Sequence, residues 1–165
     1  MPMIISLPGV VARGAVCDHA VGVVDLPPTF FALAGAPTPW AMHGHDLTPI
    51  LKNPQAEWDH PVMLEHFRWE FGSQTDRGTT GDASMGGVSW WISLRQGRYK
   101  YVRTLDSDEI EELYDVVGEP DEQTNLALQT DRRTILADYR QRMLRELERT
   151  HAGLLKNLPE PRMDR

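Results

Sequence analysis

The sequence predicts an α+β fold: a small antiparallel sheet packed against a long C-terminal helix, preceded by an N-terminal strand and helices whose own sheet lies outside this chain. Three observations carry that expectation. Residues 88–115 alternate apolar and polar side chains around a glycine turn, residues 130–150 repeat apolar side chains at helical spacing, and residues 3–7 form a short, almost wholly apolar run.

Met3 to Leu7 has the character of a strand buried on both faces of a parallel sheet, and such a strand needs neighbours that no adjacent segment supplies. Pro8-Gly9 closes it, and Val10 to His19 reads as a loop or a short edge strand. Asp25 then stands as a helix N-cap before Leu26, with Pro27 and Pro28 in the first turn, Phe30, Phe31, Leu33 and Ala34 following, and Gly35 as the stop. Pro37 to Gly44 is rich in turn residues. Asp46 precedes Leu47, Ile50 and Leu51 as the cap of a second, shorter helix. His43, His45 and Asp46 are close enough to suggest a metal site, but a site needs three or four converging ligands and a surface cap accounts for these residues more simply.

Asn53 to His60 is a polar connection, and Pro61 to His66 is a strand that runs into Phe67-Arg68-Trp69-Glu70. Residues 72–87 lack periodicity and are rich in Gly, Ser, Thr and Asp, which fits either a functional loop or a surface insertion. The hairpin follows: Val88, Trp90, Ile92 and Leu94 alternate, Gln96-Gly97 turns, Tyr99, Tyr101 and Arg103 resume, and a third strand enters at Leu113-Tyr114. Arg98, Lys100 and Arg103 read as solvated charges of the hairpin edge. Thr130 or Asp131 caps a helix of about 20 residues, with Leu136, Tyr139, Met143 and Leu147 on one stripe and Arg132, Arg133, Arg140, Glu146 and Glu148 on other faces. The tail from Asn157 to Arg165, with two prolines and mixed charge, reads as loosely ordered. The domain expectation is therefore 1–52, 53–153 and a tail over 154–165.

Composition narrows the function classes. At 165 residues, with 41% hydrophobic and 25% charged side chains, the chain can bury a core. Its net charge of -7 and interleaved cations disfavour a nucleic-acid partner. No stretch approaches the ~20 apolar residues of a membrane helix, and the N-terminus has no basic lead-in of a signal peptide, so no membrane partner and no compartment is indicated. The single Cys17 excludes an internal disulfide and reads as a small, partly buried residue.

Four stretches, taken in order, resemble the C-terminal portion of the sulfatase family in the alkaline phosphatase superfamily. They are Pro2-Met3-Ile4-Ile5-Ser6-Leu7-Pro8-Gly9; Val24-Asp25-Leu26-Pro27-Pro28-Thr29 with Leu33-Ala34-Gly35; Gly44-His45-Asp46-Leu47-Thr48-Pro49-Ile50-Leu51; and Arg98-Tyr99-Lys100-Tyr101, Glu112-Leu113-Tyr114-Asp115 and Glu119-Pro120-Asp121-Glu122 with Asn125-Leu126. The resemblance implies that residues 1–52 end an α/β sulfatase core and that 53–153 form its C-terminal subdomain. It implies, for a complete enzyme, hydrolysis of sulfate esters or sulfamates of a small molecule or carbohydrate, with calcium and a formylglycine made within Cys/Ser-x-Pro-x-Arg. Cys17 is followed by Asp18-His19-Ala20 and does not fit that motif, so the chain is expected to hold no catalytic or metal-binding residue, to bind no cofactor itself, and to need the missing N-terminal core as its partner. In the family the C-terminal subdomain borders the substrate cleft. The resemblance therefore points to His66, Arg68 and Trp69 as substrate contacts, with packing of the loop base as the other reading. A stand-alone binding module, or part of a phosphodiesterase or phosphonate hydrolase, remains as an alternative.

Overall fold

The computed structural model describes residues 3–66, 90–104 and 109–163, and these fall into two compact units, Met1–His60 and Pro61–Arg165. Among the described residues no helix is long and apolar enough to cross a membrane.

In the first unit, α1 spans Leu26–Ala34 and α2 spans Thr48–Lys52. Gly35 ends α1 at φ 63°, where a side chain would be strained, and the amide of Ala36 returns to the carbonyl of Phe31 as in a Schellman cap. The expected strand over Met3–Leu7 is not formed. A strand exists only where its amides and carbonyls pair, and the described sheet lies wholly in the other unit; Ile4 is 93% exposed.

Asp25 also departs from its expected role. A 3-10 turn, Val23–Asp25, leads into α1, and the two amides an N-cap side chain would reach are those of Pro27 and Pro28, which have no N–H. The buried carboxylate turns elsewhere: Oδ2 accepts from the Gly22 amide and Oδ1 from the His45 amide, both at 2.7 Å. Thr29 adds a second tie, its hydroxyl donating to the Asp25 carbonyl at 2.6 Å and accepting from the Leu47 amide at 2.9 Å. Between these ties Gly44 lies so close to the backbone that a Cβ would fall 1.8 Å from the Val24 carbonyl oxygen. Asp46, expected to cap α2, does accept from the Thr48 amide at 2.8 Å, and Leu47 and Ile50 are buried beside it.

The second unit is the predicted α+β layer. Strands β1 (Val62–His66), β2 (Trp91–Gln96), β3 (Tyr99–Thr104) and β4 (Glu112–Asp115) form one antiparallel sheet in the order β1-β2-β3-β4. The β2–β3 turn is Gly97-Arg98, one residue later than expected, with Gly97 at φ 58° as the first residue of a tight hairpin turn. Helix α3 (Arg133–Arg149) supplies Leu136, Tyr139, Met143 and Leu147 to a core with Trp90, Ile92, Leu94, Tyr101 and Leu113. Burial of each such side chain contributes about 1.5–3 kcal/mol. Alternation places Trp91, Ser93 and Arg95 on the face opposite that core.

Four expectations are corrected here. Neither Thr130 nor Asp131 caps α3, because residues 130–132 form a 3-10 turn and Arg132 occupies the cap position with no side-chain bond. Arg103 is buried, not solvated: it lies on the helix side of β3, opposite Ile92. Glu146 is likewise buried on α3, where it accepts from Arg149 at 2.7 Å. The tail from Asn157 is tied down, with Leu158 against the core, the Pro159 carbonyl accepting from Arg103 and the Arg162 carbonyl from the Glu111 amide, after a 3-10 turn over Gly153–Asn157 that buries Leu154.

The outer edge of β4 is closed by side-chain and tail groups. The Asn125 carboxamide accepts from the Leu113 amide and donates to the Glu111 carbonyl, each at 3.0 Å, while the Glu111 amide donates to the Arg162 carbonyl at 2.8 Å.

Candidate functional site

Of the three sequence-predicted contact residues, His66 is described and Arg68 and Trp69 lie outside the described residues. His66 is the last residue of β1. It stands opposite Trp91, which stands opposite Thr104, so one row crosses the sheet end from β1 to β3. The His66 and Trp91 rings stack at 5.8 Å and 20°. His66 Nε2 is enclosed and has no hydrogen-bond partner in the structure. An unsatisfied buried nitrogen costs about 1–3 kcal/mol, so the ring is kept here by stacking and strand geometry against that penalty.

Further along the sheet, on the helix side, lies a network that periodicity did not reveal. Glu111, 1% exposed, accepts from the Tyr101 hydroxyl at 2.8 Å and from Arg140, whose Nε donates at 2.9 Å and whose Nη2 completes a forked contact. Burial, and then the Glu111 charge, drive the Tyr101 hydroxyl far above the usual phenol range, so it serves as a fixed donor. The bond to Glu111 raises the Arg140 guanidinium, whereas burial lowers that of Arg103, which donates to the Pro159 carbonyl. The only signal in the sequence is Glu111 one residue before a strand; its cation comes from 29 positions away on α3.

The histidines near residue 45 make a different cluster. His45 stacks on His60 at 4.0 Å and 24°, Trp58 meets the His60 ring edge-on at 4.5 Å, and His45 Nδ1 lies 3.8 Å from Asp25. Asp46 is turned to Thr48 instead. Among the described residues no three His, Cys, Asp or Glu groups could hold a metal ion, so the donor set does not fit the calcium of a complete sulfatase. Cys17 is exposed, not partly buried as expected, and its sequence context does not fit a formylglycine.

A stacked imidazole at a sheet end and a buried ionic support can orient a ligand; they supply no nucleophile. Comparison with known proteins decides the family: residues 1–149 match N-sulphoglucosamine sulphohydrolase, C-terminal. The chain belongs to that sulfatase family. This sulfatase region is 30% identical over 142 residues to the Delta 4,5-hexuronate-2-O-sulfatase of Bacteroides thetaiotaomicron, covering 85% of this chain and 27% of that protein. It is 30% identical over 129 residues to human Arylsulfatase K, covering 78% of this chain and 22% of the relative. The region thus spans about a quarter of the curated relatives it matches. Among solved structures, a 2-O GAG sulfatase shares 26% identity at a TM-score of 0.61, over 85% of this chain and 27% of that one. The phosphonate monoester hydrolase of Silicibacter pomeroyi shares 26% at a TM-score of 0.62, over 87% and 28%.

Proposed function

We propose that the complete protein bearing this region hydrolyses sulfate esters or sulfamates of a carbohydrate, that the 165 residues alone have no turnover, and that the sheet end at His66 borders the substrate cleft. The observation that carries the reading is the family match over residues 1–149, in a chain spanning only about a quarter of the relatives. Splitting a sulfate ester needs a nucleophile, neutralisation of the sulfate oxygens and an acid for the leaving group. The described residues hold no such set. The sulfated-sugar chemistry rests on relatives named for a hexuronate sulfate and a GAG.

In this reading residues 1–52 complete a larger α/β domain, and calcium and formylglycine belong to that domain. The solvent-facing Ile4, Val16, Val23, Val24, Phe30 and Trp40 support it, each more than half exposed and each a surface that packing would cover. His66, with Arg68 and Trp69 next to it in sequence, meets the leaving group: Arg68 by a charge-assisted bond and Trp69 by a ring face.

Two assays test the proposal. The purified 165-residue chain should leave a chromogenic aryl sulfate intact with or without calcium, and hydrolysis that disappears on mutating this chain would overturn its inactivity. In the complete enzyme Arg68→Ala should change the ratio of activities across several sulfated substrates; an unaltered ratio refutes the cleft role. The phosphonate monoester hydrolase likeness supports a second reading, so the same panel should include a phosphonate monoester. Preference for it over every sulfate would replace the sulfatase assignment.

A further inference from the structure

Three cations stand at the turn end of β2 and β3, and two of them have carboxylates. Arg98 holds Asp115 in a forked contact, its Nε 2.9 Å from each oxygen, and Lys100 is bonded to Glu122 while its ammonium lies 5.4 Å over the Tyr114 ring. Arg95 has no hydrogen-bond or ion-pair partner among the described residues, and its Nε is enclosed. Strands on both sides fix its backbone, with Val62 opposite on β1 and Lys100 opposite on β3. Val62 offers no acceptor and Lys100 adds a like charge. Glu112, the carboxylate on the same face of β4, is two strands away and accepts from the Tyr114 hydroxyl. A charged donor closed off from water without an acceptor is a cost that folded proteins rarely keep.

The same face carries a second such atom. Trp91, Ser93 and Arg95 point away from α3, and His66, whose Nε2 is also enclosed and without a partner, shares that face in the Trp91 row. Four residues of β2, about 13 Å, separate the two rows. Leu64, opposite Ser93 and so between them, is 57% exposed. Aliphatic, aromatic and arginine side chains grouped around unsatisfied nitrogens have the character of a surface whose acceptors come from a partner.

We propose that the sheet face turned away from α3 docks on the part of the complete protein outside these 165 residues, where Arg95 receives an Asp or Glu carboxylate. The proposal rests on the reading of this region as one part of a larger enzyme, which the chain's span of about a quarter of its relatives supports. The guanidinium presents parallel N–H groups that a carboxylate fills in one plane. An Nε already closed off from solvent suits a permanent partner, whereas a substrate must enter and leave. Anchoring at Arg95 leaves the His66 end of the face to border the cleft.

The test follows amide hydrogen exchange of β2 with Arg95→Met, which keeps the apolar stem and removes the charge, in the complete protein and in the 165-residue chain. In the complete protein β2 should exchange about ten-fold faster, the equivalent of one charge-assisted contact. In the 165-residue chain, where Arg95 has no acceptor, exchange should stay the same or slow. Equal acceleration in both overturns the docking, because it marks a stem that only packs, and so does no acceleration in the complete protein. Arg95→Glu then locates the partner: its acceleration should be reversed when one Asp or Glu outside residues 1–165 is replaced by Arg, and reversal only by a position within them refutes the proposal. A dimer of the complete protein that dissociates in Arg95→Met assigns the face to a second copy, and a raised KM for a sulfated substrate at unchanged exchange assigns Arg95 to substrate; either overturns the docking. Exchange is read without turnover, so a complete protein inactive on sulfate esters removes the sulfatase assignment while the exchange result still decides the docking.

Discussion

The two units are held together by different physics. In the second, a contiguous core of sheet and helix side chains is joined by the buried Glu111 carboxylate, which pairs with the half-buried Arg140. In the first, Leu47 and Ile50 are the only fully buried apolar side chains among the described residues, and the shape depends on backbone-directed polar ties from Asp25 and Thr29 and on a close approach at Gly44. A core tolerates the loss of one contact by relaxing around it. A clamp made of single hydrogen bonds does not share its load in that way, and it leaves apolar surface such as Phe30 and Trp40 at 60% and 66% exposure.

The largest effect should come from the core unit. Arg140→Ala leaves the Glu111 carboxylate, at 1% exposure, with only the Tyr101 hydroxyl among its side-chain donors and should cost about 2–4 kcal/mol, read as a lower midpoint in denaturant unfolding followed by tryptophan emission. Replacing both partners by apolar residues of similar volume should restore much of that loss; no recovery would mean that the pair supplies more than mutual compensation.

Gly44→Ala attacks the other unit. A Cβ 1.8 Å from a backbone oxygen cannot be accommodated by a side-chain rotation, so segment 43–47 should leave α1, at about 1–3 kcal/mol. Amide hydrogen exchange should accelerate at His45 and Leu47 while β2 and β3 stay protected. Equal acceleration in both units would mean that the polar clamp and the apolar core do not respond differently. Thr29→Val removes a hydroxyl with two partners at nearly constant volume and leaves the Leu47 amide unpaired; about 1–2 kcal/mol, again confined to the first unit, is expected.

The smallest effect lies at the surface. Arg98, first by its side-chain bond and with help from the Gly118 amide, holds the Asp115 carboxyl down at about 2. A depressed carboxyl contributes stability above its unfolded pKa near 3.8 and loses it as pH falls toward 2. Arg98 is more than half exposed, so Arg98→Ala should change little at pH 7, and its small difference from the parent should vanish between pH 4 and 2. A difference that persists below pH 2 would assign the effect to packing of the arginine stem.

Local periodicity made the strands at 62–66, 91–96 and 99–104 and the apolar stripe of α3 readable, because alternation and 3.6-residue spacing are written within a few neighbouring positions. What it could not show was any pairing across distance. Arg103 is a charged side chain on an alternating strand, which periodicity alone assigns to solvent; its burial depends on Pro159 and Glu111 being brought to it by tertiary structure, whereas buried Glu146 finds Arg149 one turn along the same helix. Asp25 departs from the cap role for a local reason that the sequence contains: prolines at 27 and 28 remove the amides a cap would bind. The site followed the same division. His66 at a strand end was legible, whereas its ring stack on Trp91 and the packing of the tail beyond residue 149 emerge only from register and tertiary contacts.

Asn125 gives the sheet a finite width. Its carboxamide offers β4 one acceptor and one donor at the spacing a neighbouring peptide group would use, so a single side chain stands in for a fifth strand and has no further edge to offer. The blockade depends on the difference between nitrogen and oxygen. Deamidation to aspartate would keep the acceptor for Leu113 but set an oxygen against the Glu111 carbonyl, turning a terminator of strand addition into a repelled group and reopening the edge. Ageing at mildly alkaline pH would then leave the β4 edge open to strand addition, with the chemical clock kept by one amide.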